Sequence, residues 1–250
     1  MRSNYGRRGP LRFPFVLFDV GETLIAPRES FGAVYARVLA TLGVTLRAED
    51  LELGLRRHWS AVNEALPPGV DRYGAEFGGE DAYWLRFVEG TLARTPNAGR
   101  DEGLAARALP PLRDAFRDPA TWVVFDDVVP ALTSLRDIGV RLAVVSNWDS
   151  CLPQLLAGMG LATFFDAIVV SGLEGVEKPA PQLFLAAVQR LGGQPSQALH
   201  VGDRPELDQA GAHAAGIESV IVDRRARLPA SEGALADLGS LPAMARYGKG

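Results

Sequence analysis

The chain has 250 residues, 47% hydrophobic and 22% charged, which suffices for a sizeable core and is too apolar for a disordered chain. Its net charge of −4 gives no general attraction to nucleic acid or an anionic membrane, and no apolar run approaches the ~20 residues that span a bilayer. A single cysteine, Cys151, excludes an intrachain disulfide, and the N-terminus lacks the apolar segment of a signal peptide, so a cytoplasmic protein is expected.

In chain order, Arg2, Arg7, Arg8 and Arg12 form the one basic cluster, expected to be a solvated tail. Phe13-Pro-Phe-Val-Leu17 then reads as a buried strand running into F-D-V-G-E-T-L (18–24), which delivers Asp19 at its tip and Gly21 in the turn. Residues 27–120 read as helices over Glu29–Leu42, Ala48–Ala65, Asp81–Arg94 and Asp101–Phe116, divided by Gly/Pro punctuation, with no strand between them. From residue 121 onward helices and strands alternate. Helices are expected over Val128–Ile138, Leu152–Gly160, Pro181–Leu191 and Glu206–Ala215. Strands are expected over Arg141–Ser146, Ala167–Ser171, Ala198–Gly202 and Ser219–Asp223, and Leu235–Ala245 is a weak final element. Repeated strand-helix units with β-branched apolar strands imply an α/β fold, a doubly wound parallel sheet covered on both faces, with a helical domain inserted after its first strand. The expected boundaries are 12–26 plus 121–250 for the sheet domain and 27–120 for the insert.

Ligands of such sheets bind beyond the carboxyl ends of the strands. The first strand brings Asp19 there, the second Ser146 and Asn147 with Asp149 beyond, the third Glu177-Lys178-Pro179, and the fourth Gly202-Asp203 with Asp208 following. Lys178 stands out because the only other lysine is Lys249 in a chain that otherwise uses arginine. A lysine is a compact point charge where arginine is a planar fork. Asp19 and Asp203 at one rim would repel unless a cation stood between them, and Mg2+ is the hard, oxygen-loving ion that fits. With Lys178 and Ser146 beside it, such a rim suits a phosphoryl group, and Asp19 could serve as a nucleophile forming an aspartyl-phosphate.

The set D-x-x-x-T-L (19–24), a strand ending in Ser146-Asn147, Lys178-Pro179 and Gly202-Asp-x-x-x-x-Asp208 resembles the four motifs of the haloacid dehalogenase superfamily, in order and spacing across nearly the whole chain. S-N-W-D, E-K-P-A-P-Q-L-F and H-V-G-D-R-P-E-L-D narrow the resemblance to one subgroup. It implies a Rossmann-like core with a C1-type helical cap and the hydrolysis of a small phosphorylated substrate with Mg2+ as cofactor. It implies that Asp19 is nucleophile and metal ligand, with the Gly21 carbonyl also facing the metal. Ser146, Asn147 and Lys178 would meet the phosphoryl group, Ser146 and Lys178 taking part in catalysis. Asp203 would ligate the metal and Asp208 would support it directly or from behind. No nucleic-acid or membrane partner is implied, and the chain would act as a monomer or homodimer.

The departure is Gly21. Phosphatases of the superfamily carry a second aspartate there as general acid and base, a role worth roughly 10²–10⁴-fold. Glu22 is one candidate replacement; His58, Asp71 and Asp81 of the insert are others. Members that cleave phosphonates need an insert lysine, and this insert has none. A slow or specialised phosphatase, a non-catalytic phosphate- or partner-binding protein, and a 2-haloacid dehalogenase remain open. Plainer roles stand beside the sharp ones: Asp208, Asn147 and Asp149 as helix caps, His200 as a packed core residue, and His213, Cys151, Trp148, Trp59 and Trp84 as structural side chains.

Overall fold

The computed structural model describes residues 10–99, 101, 103–229 and 233–248. Arg2, Arg7 and Arg8 of the basic cluster lie outside them; Arg12 pairs with Glu218. In chain order the elements are β1 (Phe15–Phe18), β2 (Ile25–Pro27), α1 (Phe31–Thr41), α2 (Ala48–Ala65), α3 (Gly79–Arg94), α4 (Leu104–Arg117), β3 (Trp122–Val124), α5 (Val128–Asp137) and β4 (Arg141–Ser146). There follow α6 (Leu152–Gly158), β5 (Ala167–Val170), α7 (Ser171–Glu174), α8 (Pro181–Arg190), β6 (Ala198–Gly202), α9 (Ala210–Ala214), β7 (Glu218–Ile221) and α10 (Leu241–Tyr247).

Five strands form a parallel sheet in the order β5-β4-β1-β6-β7. Successive strand residues face opposite sides, so each strand feeds two cores. Val16, Phe18, Leu142, Val144, Leu199 and Val201 join one core with α5, α6 and α10. Leu17, Ala143, Val145, Val169 and Ala198 join the other with α8 and α9. Continuous apolar strands are the consequence of covering both faces. β1 lies between β4 and β6, so the chain departs to opposite sides at its carboxyl end, which is where a crevice opens in such sheets.

Residues 31–117 contribute α1 to α4, which bury their own core of Tyr35, Leu39, Leu51, Phe87, Ala108 and Leu112. Helix α1 begins where Ser30 Oγ accepts from the Ala33 amide at 3.2 Å, a cap that ends the preceding extended segment. The chain enters and leaves this insert through an antiparallel ribbon, β2 paired with β3. Sequence periodicity did not reveal that ribbon, because three residues ending in Pro27 carry no alternation to read.

Four other expectations change. The 101–116 helix starts at Leu104, since Asp101 instead caps the Gly103 amide and pairs with Arg107. The 206–215 helix is a wide turn at Pro205–Gln209 followed by α9. The last strand stops at Ile221, and Asp223 turns to accept from the Leu228 amide. In 235–245, Leu235 bridges Val222 and only residues from 241 onward are helical. No helix is long and apolar enough among the described residues to cross a membrane.

Phe184 of α8 fills the space between α9 and the sheet: a Cβ on Gly211 would lie 2.4 Å from its ring, and His200 meets it edge-on at 4.9 Å. Phe184→Ala is expected to lower stability by roughly 3–5 kcal/mol, read from the urea unfolding midpoint.

Candidate active site

The β1 register that buries Leu17 against α8 sends Asp19, two residues on, toward the same side. The turn after it closes on the Val20 carbonyl, which accepts from Leu24 N at 2.8 Å and Ile25 N at 3.1 Å, while Glu22 N donates to the Ile25 carbonyl at 2.8 Å. The bonds that close the turn leave the Gly21 carbonyl out. Asp19 Oδ1 accepts from Ser146 Oγ at 2.9 Å and from Lys178 Nζ at 2.7 Å. Lys178 Nζ also donates to Asp208 Oδ1 at 2.6 Å. Asp19, Asp203 and Asp208 each present an oxygen within 4.8 Å of the others, and all three are buried.

Electrostatics follow from that packing. Burial opposes the Lys178 charge, but Asp19 and Asp208 outweigh it and hold the ammonium protonated beyond its usual range. Burial likewise opposes ionisation of Asp208, yet Lys178 and His200 outweigh it and hold the carboxyl well below the usual carboxylate range. Asp203 goes the other way. Burial first, then repulsion from Asp19 and Asp208, pushes its carboxyl up to about 7, and Arg227 at 3.1 Å offsets only part of this. Three buried carboxylates facing one buried ammonium and the half-exposed Arg227 guanidinium make a donor set short of positive charge. Hard oxygen ligands lacking a counter-charge fit Mg2+.

The other expected residues are distributed more widely. Asn147, expected at the phosphoryl group or as a helix cap, does not cap α6, and its side chain is turned to Lys178: its Oδ1 accepts from Lys178 N at 2.7 Å and its Nδ2 donates to the Lys178 carbonyl at 3.0 Å. With both ends of the amide spent there, it fixes the Lys178 backbone. Asp149 does not cap α6, whose N-cap position is Cys151 and carries no side-chain cap; it accepts from Cys151 N at 3.1 Å in the turn just ahead of the helix. Asp208 both binds Lys178 and accepts from the Arg204 amide at 3.0 Å, so it is a first-turn carboxylate reaching back to the start of its turn and not an N-cap. A Cβ on Gly202 would lie 2.2 Å from Asp208 Cγ, so only glycine lets that carboxylate tuck under the end of β6.

Glu22 adopts a left-handed conformation, φ +56°, and its Oε1 accepts from Arg225 Nη2 at 2.8 Å. Of the insert candidates, the His58 ring packs on Phe87 and over Gly90, Asp81 pairs with Arg113, and Asp71 accepts from the Tyr73 amide at 3.0 Å. Trp148 stands over Gly21, its Cζ3 3.6 Å from where a Cβ would be, and leans on Trp122 at 5.1 Å.

Sequence reasoning missed two groups. His200 lies inside β6 with Nε2 2.9 Å from Asp208 Oδ1. An ionised Asp208 can only accept, which assigns the proton to Nε2. A lone polar residue on the face shared with Gly202 was the available signal. The turn after β7 is the other. Arg224 donates to the Thr23 carbonyl at 2.7 Å and pairs with Asp127, Arg225 binds Glu22, and Arg227 binds Asp203. Clustered arginines in a weakly patterned segment gave no sign that they clasp the turn after Asp19.

Residues 14–216 match the model of the haloacid dehalogenase-like hydrolase family. The chain is 32% identical over 216 residues to haloacid dehalogenase-like hydrolase domain-containing protein 3 of Homo sapiens, covering 85% of this chain and 82% of that protein. It is 30% identical over 223 residues to glyceraldehyde 3-phosphate phosphatase of Methanopyrus kandleri, covering 84% and 83%. The fold matches that of the HAD-hydrolase YfnB of Bacillus subtilis, solved bound to magnesium, with a TM-score of 0.69 at 19% identity over 87% of this chain and 90% of that one.

The raised Asp203 carboxyl has a sign that can be tested. The folded protein keeps a proton that the unfolded chain releases, so this stabilising contribution is full below about pH 4 and is lost as the pH rises through about 7. Excess Mg2+ is expected to raise the melting temperature more at about pH 8 than at about pH 5, in thermal scans against EDTA controls.

Proposed function

The chain belongs to the haloacid dehalogenase-like hydrolase family, and from that premise we propose that it is a Mg2+-dependent phosphatase of small phosphomonoesters working through an aspartyl-phosphate on Asp19. The single observation that carries this reading is Lys178, a buried ammonium shared by Asp19 and Asp208 beside a third carboxylate, Asp203. With Mg2+ held among those carboxylates, such a centre would suit anionic oxygen on a dianionic group better than neutral carbon. The phosphatase among its relatives supports the same substrate class. A lone cysteine fits the cytoplasm as the working compartment.

Asp19, the Gly21 carbonyl and Asp203 would hold the ion, with Asp208 behind them. When bound, Mg2+ supplies charge that neutralises phosphoryl oxygens and separates the carboxylates. An Asp19 oxygen attacks phosphorus, the bond to the ester oxygen breaks, and the departing alkoxide takes a proton from water, since position 21 supplies none. Water then attacks the phosphorus of the aspartyl-phosphate, releasing inorganic phosphate and restoring the carboxylate. The Ser146 hydroxyl and the Lys178 ammonium, both on Asp19 Oδ1, are the donors that meet charge on the transferring group. His200 and Asn147 touch no reacting atom; they orient Asp208 and Lys178.

A second reading, a phosphate- or partner-binding protein with weak turnover, draws on one observation: Gly21 has no proton to give, and Glu22 is tied to Arg225. A 2-haloacid dehalogenase is disfavoured by Asp203, since a third carboxylate in the cluster serves a metal and not a metal-free attack on carbon.

Asp19→Asn is expected to drop Mg2+-dependent hydrolysis of p-nitrophenyl phosphate to the uncatalysed level. Turnover of the wild type no higher than that of the variant would favour the binding reading. Gly21→Asp is expected to raise turnover by roughly tenfold or more, part of what a positioned acid supplies; the Cβ it adds meets Trp148 at an ordinary 3.6 Å.

A further inference from the structure

The helical insert touches the sheet domain at the two loops that carry Ser146 and Lys178. Beside Ser146, Glu80 Oε2 accepts from the Ser150 amide at 3.0 Å and Trp84 Nε1 donates to Asp149 Oδ2 at 2.9 Å. Beside Lys178, Arg72 Nε and Nη2 donate to the two carboxylate oxygens of Glu177 at 2.8 Å and 3.1 Å, with the side chains only 10% and 5% exposed. The backbones meet as well. Val70 and Val176 form an antiparallel bridge, and the Glu177 amide donates to the Gly69 carbonyl at 3.4 Å. Gly69 has φ +85° and a Cβ there would come 3.0 Å from that of Ala180, so the close approach depends on glycine. Arg72 is itself braced, lying over the Trp59 and Tyr83 rings.

A two-pronged guanidinium–carboxylate contact fixes orientation as well as distance, and burial keeps water from replacing it. Its place in the chain matters most, because Glu177 precedes Lys178. The Lys178 backbone is clamped on its far side by Asn147, one residue after Ser146. Both halves of that clamp are therefore gripped by the insert, one through Arg72 and the other through Glu80 and Trp84.

We propose that Arg72 is a positioning residue: the Arg72–Glu177 pair sets the Lys178 ammonium against Asp19, so that docking of the insert and assembly of the reacting groups are one event. This rests on the reading of Asp19 as nucleophile.

A pair that served only to hold the insert would act on stability alone. Arg72→Met by itself strands a buried carboxylate and destabilises for that reason, so the informative variant is Arg72→Met/Glu177→Met, in which neither charge is left. The measurement is kcat for p-nitrophenyl phosphate with Mg2+, per folded molecule by near-UV circular dichroism. It is expected to fall by more than about fivefold, since small misplacements of a reacting group are costly; a smaller fall overturns the proposal. Should the double variant not fold, Arg72→Lys, which keeps the charge and loses the fork, takes the same test. A second readout needs no turnover. Lys178 and Lys249 are the only lysines, so amine acylation followed by mass spectrometry reports Lys178 packing against Lys249 as reference. The Lys178:Lys249 ratio is expected to rise in the variant, and an unchanged ratio also overturns the proposal. If the wild type turns over no faster than Asp19→Asn, the phosphatase reading fails, while the acylation ratio still decides whether Arg72 holds Lys178.

Discussion

One buried ammonium holds this site together. Lys178 Nζ lies between Asp19 and Asp208, and without it those two carboxylates would share a low-dielectric pocket with no cation beside them. The charge is costly to bury and is retained because two carboxylates surround it. Everything else near the centre either fixes that ammonium or completes the anionic set around it. Asn147 holds its backbone, His200 and the Arg204 amide hold Asp208, and Ser146 shares its acceptor on Asp19.

The sheet makes this convergence possible. With β1 between β4 and β6, the groups at the ends of three adjacent strands face one crevice, and the loop beyond β5 needs only to fold back to supply the lysine. Residues far from the reacting groups then close the arrangement from two sides. The arginine turn after β7 clasps the turn after Asp19 through Thr23 and Glu22, and the insert grips the Ser146 and Lys178 loops through Glu80, Trp84 and Arg72. Gly21 lies in the turn after Asp19, beneath the Trp148 ring. The glycine gives the turn a bare backbone, and the tryptophan occupies the wall that a longer side chain would share.

Much of this was legible in the sequence, for identifiable reasons. Strands buried on both faces read as apolar runs, so the parallel sheet and the residues at its rim could be placed from patterning and from the rule that ligands bind at strand ends. Asp19, Ser146, Lys178, Asp203 and Asp208 all belong to that class. What stayed hidden depends on partners distant in sequence. Nothing local in Asn147 says that its amide will be spent on Lys178 and not on a phosphoryl oxygen. His200 looks like a core residue because it is one, packed against Phe184, and its second role appears only when the turn at Pro205–Gln209 brings Asp208 beneath β6. Arg72 and Glu177 are 105 positions apart, and no periodicity joins them. The β2–β3 ribbon was too short to carry any.

The proposed chemistry phosphorylates Asp19, with Lys178 and Ser146 attending it. With no carboxylate at position 21 to activate water, the acyl phosphate should outlive its formation. The most direct measurement is an acid quench of the protein shortly after mixing with Mg2+ and p-nitrophenyl phosphate, followed by peptide mass spectrometry. The account predicts one hydroxylamine-sensitive phosphoryl group on the peptide that contains Asp19, absent from Asp19→Asn. Turnover that proceeds with no phosphoryl group there, or with one on another residue, would contradict it.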